Sequence, residues 1–201
     1  MTMKETMVDS DSAGDPSRFL SLSDLERELH ELARSPTDKG RVALIVRRVA
    51  GGRREVLDRV EVSADAGVTG DAWGRRPQRD PEMQIAVMQV DVAKLIANGQ
   101  PPTLFGDNLV LDLDLSASNL PAGTRLRVGD ALLEVTPFPH NGCKKFQARF
   151  GSDALRFVSM KTLRHLNLRG IYMRVVQPGD VRPGDPVEVL TRVRAPQSQS
   201  A

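Results

Sequence analysis

The single cysteine of the chain follows a loop whose composition favours a reactive thiol. In the stretch TPFPHNGCKKF, a strand is predicted to end at Thr136, prolines and a glycine shape the loop, and Cys143 follows. Lys144 and Lys145 come next, and nearby positive charge favours the thiolate, which is the form that attacks electrophiles or binds metal. The alternative is a small buried hydrophobic residue, the commonest fate of a lone cysteine. The sequence leaves both interpretations open.

His140, three residues before the thiol, suggests two further kinds of site. Zinc needs three or four protein ligands, and only His165 and scattered carboxylates remain to complete such a set. A structural zinc site is therefore not favoured. A Cys–His pair for nucleophilic catalysis stays open, although no residue is evident to orient the imidazole.

Basic residues are concentrated in the same part of the chain. Residues 140–174 hold eight bases and one acid, Asp153, whereas residues 1–40 hold nine acids and five bases. A basic cluster attracts phosphate, a nucleotide or nucleic acid, unless its side chains are simply solvated on helix faces. Nucleic acid is the weaker case, because single-strand binders stack bases on aromatic side chains and the chain has eight. The common phosphate-binding glycine motifs are not present in the sequence.

The composition is typical of a soluble protein with one domain and an extension. The chain has 201 residues, of which 40% are hydrophobic and 27% are charged. No apolar run approaches the roughly 18 residues of a membrane span, and the start has no apolar signal segment. One cysteine excludes an internal disulfide. We therefore expect a cytoplasmic protein with neither a membrane nor a nucleic-acid partner.

Three regions follow from the local patterns. Residues 1–40 form an acidic, partly disordered extension with a short helix at 23–34, which a capping box of Ser23 and Glu26 begins. We expect this extension to be dispensable for folding. Residues 41–191 form the folded body, and residues 192–201 form a flexible tail.

The sequence of the body predicts a series of short strands separated by frequent turns. The strand predictions include a hairpin over 41–62, a hairpin over 125–136 and a last hairpin around Pro183-Gly184-Asp185. Helices are predicted at 91–97 and 152–165, the second capped by Ser152. Strands and helices do not alternate, which argues against a parallel sheet. A mainly β fold that closes into a barrel is expected, since closure removes exposed strand edges.

Taken together, these segments resemble the MOSC domain, a family named for the C-terminal domain of molybdenum-cofactor sulfurase. The resemblance covers residues 41–191. The matching elements follow the family's order: Gly70-Asp71, Gly106-Asp107-Asn108-Leu109 (usually with Glu for Asp107), RVGDALLEVT, the loop ending in Cys143, Lys145-Phe146, and RGIYMRVVQPGDVRPGDPVEV. Trp73 and Phe138 depart from the family, where a His and an Arg are common.

The resemblance implies a MOSC-type β-barrel with a pocket for the molybdenum cofactor, molybdopterin. Cys143 matches the family's cysteine, which ligates molybdenum or carries sulfur. Arg and Lys pair well with the oxygens of a pterin phosphate, and Arg169 is expected to do so from the protein surface. The expected cofactor-binding residues are Lys144, Lys145, Arg169, Arg174, Asp107, Asn108, His140 and Asn141.

The activity implied by the resemblance is reduction of N-hydroxylated small molecules. The chain has no flavin or iron–sulfur signature, so electrons must come from a partner protein. Two alternatives remain open. Cys143 could hold a persulfide and pass its sulfur to the cofactor or to another protein, or the chain could be a module that only binds or delivers the cofactor.

Overall fold

Short strands with apolar residues on one face close into a β-barrel. The computed structural model describes residues 13–192. The predicted disorder of residues 1–12 and the predicted flexibility of 193–201 lie outside the described residues. The strands are β1 Lys39–Arg48, β2 Arg54–Val56, β3 Val60–Ser63, β4 Gly67–Val68, β5 Ile85–Gln89, β6 Leu109–Asp112, β7 Arg125–Val128, β8 Ala131–Val135, β9 Ile171–Gln177, β10 Gly179–Val181 and β11 Pro186–Thr191. The helices are α1 Leu22–Glu31, α2 Val90–Ala97, α3 Lys144–Phe150 and α4 Ser152–Ser159.

Seven strands form the barrel in the order β11-β7-β8-β9-β5-β6-β1, and pairing of β1 with β11 closes it. Only β5 and β6 run parallel among the described pairs. β2 extends the sheet from the far end of β1, while β3, β4 and β10 form a separate three-stranded sheet. The predicted mainly β barrel is therefore confirmed.

Two apolar clusters fill the molecule. The first fills the barrel and includes Ile45, Leu109, Leu126, Leu133 and Met173. The second joins one outer side of the barrel to the helices and includes Leu25, Met88, Ile96, Phe105, Phe146, Phe150 and Phe157. The helices thus form a layer over the β5–β6 region. No helix within residues 13–192 is long and apolar enough to cross a membrane.

The two tight turns predicted near the C-terminal half have different outcomes. β7 and β8 form the predicted hairpin around Gly129, whose φ is +56° and whose Cβ would lie 2.6 Å from the Asp185 side chain. The last predicted hairpin is wrong. Its turn at Gly184 forms, but β10 pairs with β3 in the small sheet. β11 pairs with β7 and β1 instead, because these pairings close the barrel.

The helices around the Cys143 segment also differ from the prediction. The predicted helix over 152–165 divides into α4 and a 3₁₀ segment, Lys161–Leu166, because the backbone of Met160 is extended. Ser152 does not cap α4; the cap position is Gly151, and no side chain bonds there. An additional helix, α3, begins directly after Cys143. The predicted helix at 91–97 is present as α2.

The N-terminal segment packs on the body from Gly14 onward. Ser21, and not Ser23, caps α1, and its Oγ accepts a hydrogen bond from the Asp24 amide. Leu25 is fully buried within the helix layer. Gly14 is buried, and its amide donates to the Ala148 carbonyl. The sequence predicts disorder for residues 1–17 and a helix at 23–34 that is separate from the barrel. Both expectations are wrong for the described residues, because Gly14 bonds to α3 and the apolar stripe of α1 completes a core cluster.

We predict that Leu25→Ala lowers the free energy of unfolding by about 2–5 kcal/mol, because it opens a cavity in the helix layer. Chemical denaturation of the variant and parent measures this difference. Leu190→Ala, the same change at an exposed strand position, is the matched control and is expected to change the free energy by about 0.5 kcal/mol or less. Equal effects at the two positions would show that α1 does not contribute to the core.

Candidate functional site

A cavity of about 420 Å³ lies between the barrel, α3 and the loop before Cys143. We call it the large cavity, and we call residues 137–143 the Cys loop. Among the described residues that line the cavity, six are cations: Arg48, Arg54, Arg76, Lys145, Arg149 and Arg169. One carboxylate, Asp107, lies among them. The interior is therefore strongly positive and suited to an anion.

Six of the residues predicted from the sequence meet in this cavity. They are Cys143, Lys145, Arg169, Asp107, His140 and Asn141. Cys143 is exposed and precedes α3, so the alternative of a buried hydrophobic residue does not hold. Trp73, by contrast, is buried outside the cavity, where its indole donates to the Asp80 carbonyl.

Three predicted residues do not line the cavity. Lys144 and Lys145 are consecutive on α3, so their side chains diverge by about 100°, and only Lys145 faces the cavity. Arg174 lies along β9, where its Nη2 donates to Glu134 Oε1 on β8 at 2.5 Å. The assignment of Lys144 and Arg174 to the cavity is corrected by this geometry.

Asn108, the third of these residues, is fully buried beside the cavity and ties strands together. Its Oδ1 accepts hydrogen bonds from the Ala86 amide and from Arg48 Nη2, at 3.1 and 3.3 Å. Its Nδ2 donates to the Val46 carbonyl at 3.3 Å. Asn108 therefore positions a lining arginine instead of facing a ligand.

A buried ion pair joins Asp107 to Arg169. Arg169 Nη1 donates to both carboxylate oxygens, at 3.1 and 2.8 Å, and its guanidinium lies over the Phe146 ring at 5.2 Å. Burial raises the pKa of Asp107, and the charge of Arg169 opposes that shift. Arg169 is 8% exposed, so the expectation of a surface arginine is wrong and its removal would leave a buried carboxylate unpaired.

His140 is a buried, neutral wall of the cavity. Its side chain is 6% exposed and packs on Tyr172, with ring centroids 4.3 Å apart. Burial lowers the pKa of His140 well below 6.5, and the charges of Arg169 and Arg48 lower it further. Its Nδ1 is 3.5 Å from Asp107 Oδ1, which is too long for a good hydrogen bond. The contact is not an ion pair at neutral pH.

A second carboxylate, Asp71, holds Arg48. Asp71 accepts hydrogen bonds from Arg48 Nε and Nη2, at 3.0 and 2.6 Å, and from the backbone amides of Arg48 and Trp73, at 2.7 and 2.8 Å. Burial opposes ionisation, but these contacts with Arg48 lower the pKa of Asp71 overall. The sequence indicated Gly70-Asp71 only as an element of the family resemblance, and nothing in it pointed to Arg48.

Sequence reasoning missed several other lining residues. Arg54 comes from β2 and Arg76 from the loop before β5, far from the basic cluster in the chain. Arg149 belongs to that cluster, is buried on α3, and donates to the Leu104 carbonyl at 3.0 Å. Phe105 and Tyr172 supply aromatic surface. Only the pairing of β1 with β2 and the loop after β4 bring Arg54 and Arg76 to this place.

The profile of the MOSC domain matches residues 81–188. The chain belongs to the MOSC domain family. This match spans most of the barrel and includes Asp107, Cys143 and Arg169, but it begins after Arg48, Arg54 and Arg76. The placement of these three arginines in the cavity is therefore supported by the structure and not by the family match.

Solved structures similar to this MOSC chain show the same fold. The YuaD protein from Bacillus subtilis is 19% identical with a TM-score of 0.57, and the match covers 75% of this chain and 95% of that one. A protein described only as hypothetical is 24% identical with a TM-score of 0.56, covering 84% and 71%. YiiM from Escherichia coli is 22% identical with a TM-score of 0.53, covering 77% and 72%. No curated protein sequence matches the chain.

We predict that His140 makes the MOSC chain less stable in acid. Below about pH 6.5 the unfolded chain protonates His140 while the folded protein does not, so the free energy of unfolding falls by up to about 1.4 kcal/mol per pH unit. His140→Gln removes this loss. Urea unfolding between about pH 7 and about pH 5 measures the slope for parent and variant.

The exposed His165 provides the matched control, and His165→Gln is expected to keep the slope of the parent. The raised pKa of Asp107 has the opposite effect on the pH dependence of stability, but Asp107 is present in all three proteins, so its effect cancels in the comparison. An unchanged slope in His140→Gln would show that His140 takes up its proton over the same pH range in the folded protein as in the unfolded chain.

Proposed function

We propose that this chain binds the molybdenum cofactor, molybdopterin, and reduces N-hydroxylated small molecules with Cys143 as the molybdenum ligand. The observation that supports this proposal is the exposed thiol of Cys143 at a cavity with six cationic lining residues. Cations suit the phosphate of an anionic pterin, and a thiolate is the soft ligand that molybdenum accepts. The residues present therefore fit the group.

The cations differ in how firmly they are held. Arg48 and Arg169 are fixed by Asp71 and Asp107, so their guanidinium groups are oriented before a ligand arrives, which reduces the cost of ordering them. Arg76 and Lys145 are exposed and line the cavity. We infer that the fixed pair orients the anionic end and that the exposed pair strengthens its attraction.

The Cys loop is fixed by close packing on α4. A Cβ at Gly142 would lie 2.4 Å from Leu155 Cδ1 and 3.3 Å from Val158 Cγ2, so a larger residue here would require the Leu155 side chain to shift. The adjacent thiol of Cys143 is thereby held at the cavity. When bound, the cofactor supplies the redox centre that converts an N-hydroxyl group to N–H and water with two electrons and two protons. A donor protein would deliver the electrons.

The exposure of Cys143 also favours the sulfur-carrier alternative. A persulfide on an exposed thiol can be reached by a partner protein, which a buried cysteine could not offer. Cyanide-labile sulfur on Cys143 in natively purified protein would support this alternative. Molybdenum and pterin without reductase activity would support a binding or delivery module. The content and activity measurements below detect the second outcome, and a cyanide-lability assay on the same protein detects the first.

We predict that Lys145→Ala weakens retention of the cofactor, because it removes a cation of the large cavity. A loss of about ten-fold in affinity corresponds to one charge-assisted contact of about 1.4 kcal/mol. Pterin and molybdenum content of protein purified from a cofactor-producing host measures the effect. Lys144→Ala, its neighbour outside the cavity, is the matched control and is expected to retain the parental content. Equal losses would remove Lys145 from the site.

We predict that Cys143→Ser folds and melts like the parent but loses reduction of N-hydroxylated compounds. The residue is exposed, so the change costs little stability, whereas a hydroxyl does not replace a thiolate as a soft ligand. Thermal melting and a reductase assay with a chemical electron donor measure the two properties. Retained activity in the variant would exclude Cys143 as the ligand.

A further inference from the structure

A smaller cavity adjoins the large cavity across the Cys loop. The small cavity measures about 210 Å³ and shares three lining residues with the large one: His140, Asn141 and Arg169. Its other walls come from α4 and the segment that follows, at Val158, Ser159, Arg164, Asn167 and Leu168, and from Pro139. The Cys loop is therefore a partition with a cavity on each side.

The position of Asn141 links the two cavities to the thiol. Asn141 is exposed, lines both cavities, and precedes Cys143 by two residues. Its side chain can therefore contact a molecule in either space. A molecule in the small cavity would lie against the loop that carries Cys143 without occupying the cationic interior of the large cavity.

The walls of the small cavity combine positive charge with apolar surface. Arg164 is exposed, and within residues 13–192 no Asp or Glu lines the cavity. Pro139, Val158 and Leu168 supply an apolar side. Arg169 is buried and its Nη1 is bound to Asp107, whereas Arg164 is exposed, so Arg164 is the cation more accessible to a ligand. These features suit a small molecule that has an anionic group on an apolar body.

The volume of the small cavity limits the class of ligand further. The cavity is smaller than the roughly 300–1,000 Å³ of ordinary ligand pockets, so it suits one ring or a short chain. A planar carboxylate matches the forked guanidinium of arginine. A phosphate on its own would gain nothing from the apolar side and is better served by the cations of the large cavity.

We propose that the small cavity is a separate subsite for a small organic carboxylate, whose carboxylate pairs with Arg164 and whose apolar body packs on Val158 and Leu168. The proposal goes beyond cofactor binding and stands whether or not the large cavity takes a molybdenum cofactor. If that cofactor is present, the subsite offers a place for a second molecule beside Cys143.

The test is calorimetric titration of the purified chain with benzoate, with the neutral amide benzamide, and with inorganic phosphate. Benzoate is expected to bind at least about ten-fold more tightly than benzamide, since a charge-assisted contact contributes about 1.4 kcal/mol or more. Arg164→Ala is expected to weaken benzoate binding about ten-fold and to leave phosphate binding unchanged. Arg156→Ala, an exposed arginine of α4 outside both cavities, is the control and should bind as the parent does.

A second variant tests the location independently of charge. Ser159→Phe places a ring in the small cavity from an exposed position and is expected to abolish benzoate binding while phosphate binding and the melting temperature are retained. The proposal is overturned if benzoate does not bind, if it binds Arg164→Ala as tightly as the parent, or if its affinity falls in Lys145→Ala instead. The last result would place benzoate in the large cavity.

Discussion

Two buried carboxylates determine what the large cavity can do. Asp107 holds Arg169 and Asp71 holds Arg48, each through hydrogen bonds to both carboxylate oxygens. Removing one partner of such a pair leaves an uncompensated buried charge and costs about 3–5 kcal/mol. The same contacts orient the two guanidinium groups toward one space. The stability of the fold and the proposed binding of an anion therefore involve the same interactions.

The helix layer supplies the second constraint. α3 and α4 flank the Cys loop, and the second apolar cluster, to which α1 contributes Leu25, packs them against the barrel. Gly142 contacts Leu155 of α4 directly, so the position of the thiol depends on this packing. The N-terminal segment lies outside the region matched by the family profile, yet it completes the core that supports the site. This connection joins a distant part of the chain to Cys143 through packing.

Local patterns predicted the fold class well. Alternating strands around Gly129 predicted the β7–β8 hairpin, and the helix predicted at 91–97 ends as expected, at Asn98, which is left-handed with φ of +44°. Such features depend on neighbouring residues, so they can be read from sequence. The last hairpin failed because its arms pair with distant strands. Pairing between distant strands is decided by tertiary packing, which local propensity does not contain.

For the candidate site, the sequence by itself determined the thiol, its Gly- and Pro-shaped loop, and a basic cluster that includes Arg149 and Arg169. It also indicated Asp107 through the family resemblance. Only the tertiary structure decided which cations share a space: it placed Arg48, Arg54 and Arg76 in the large cavity and left Lys144 and Arg174 outside it. The physical reason is that the side of a strand or helix on which a charge lies, and the distant segment it meets, depend on barrel closure. Barrel closure brings together residues far apart in the chain.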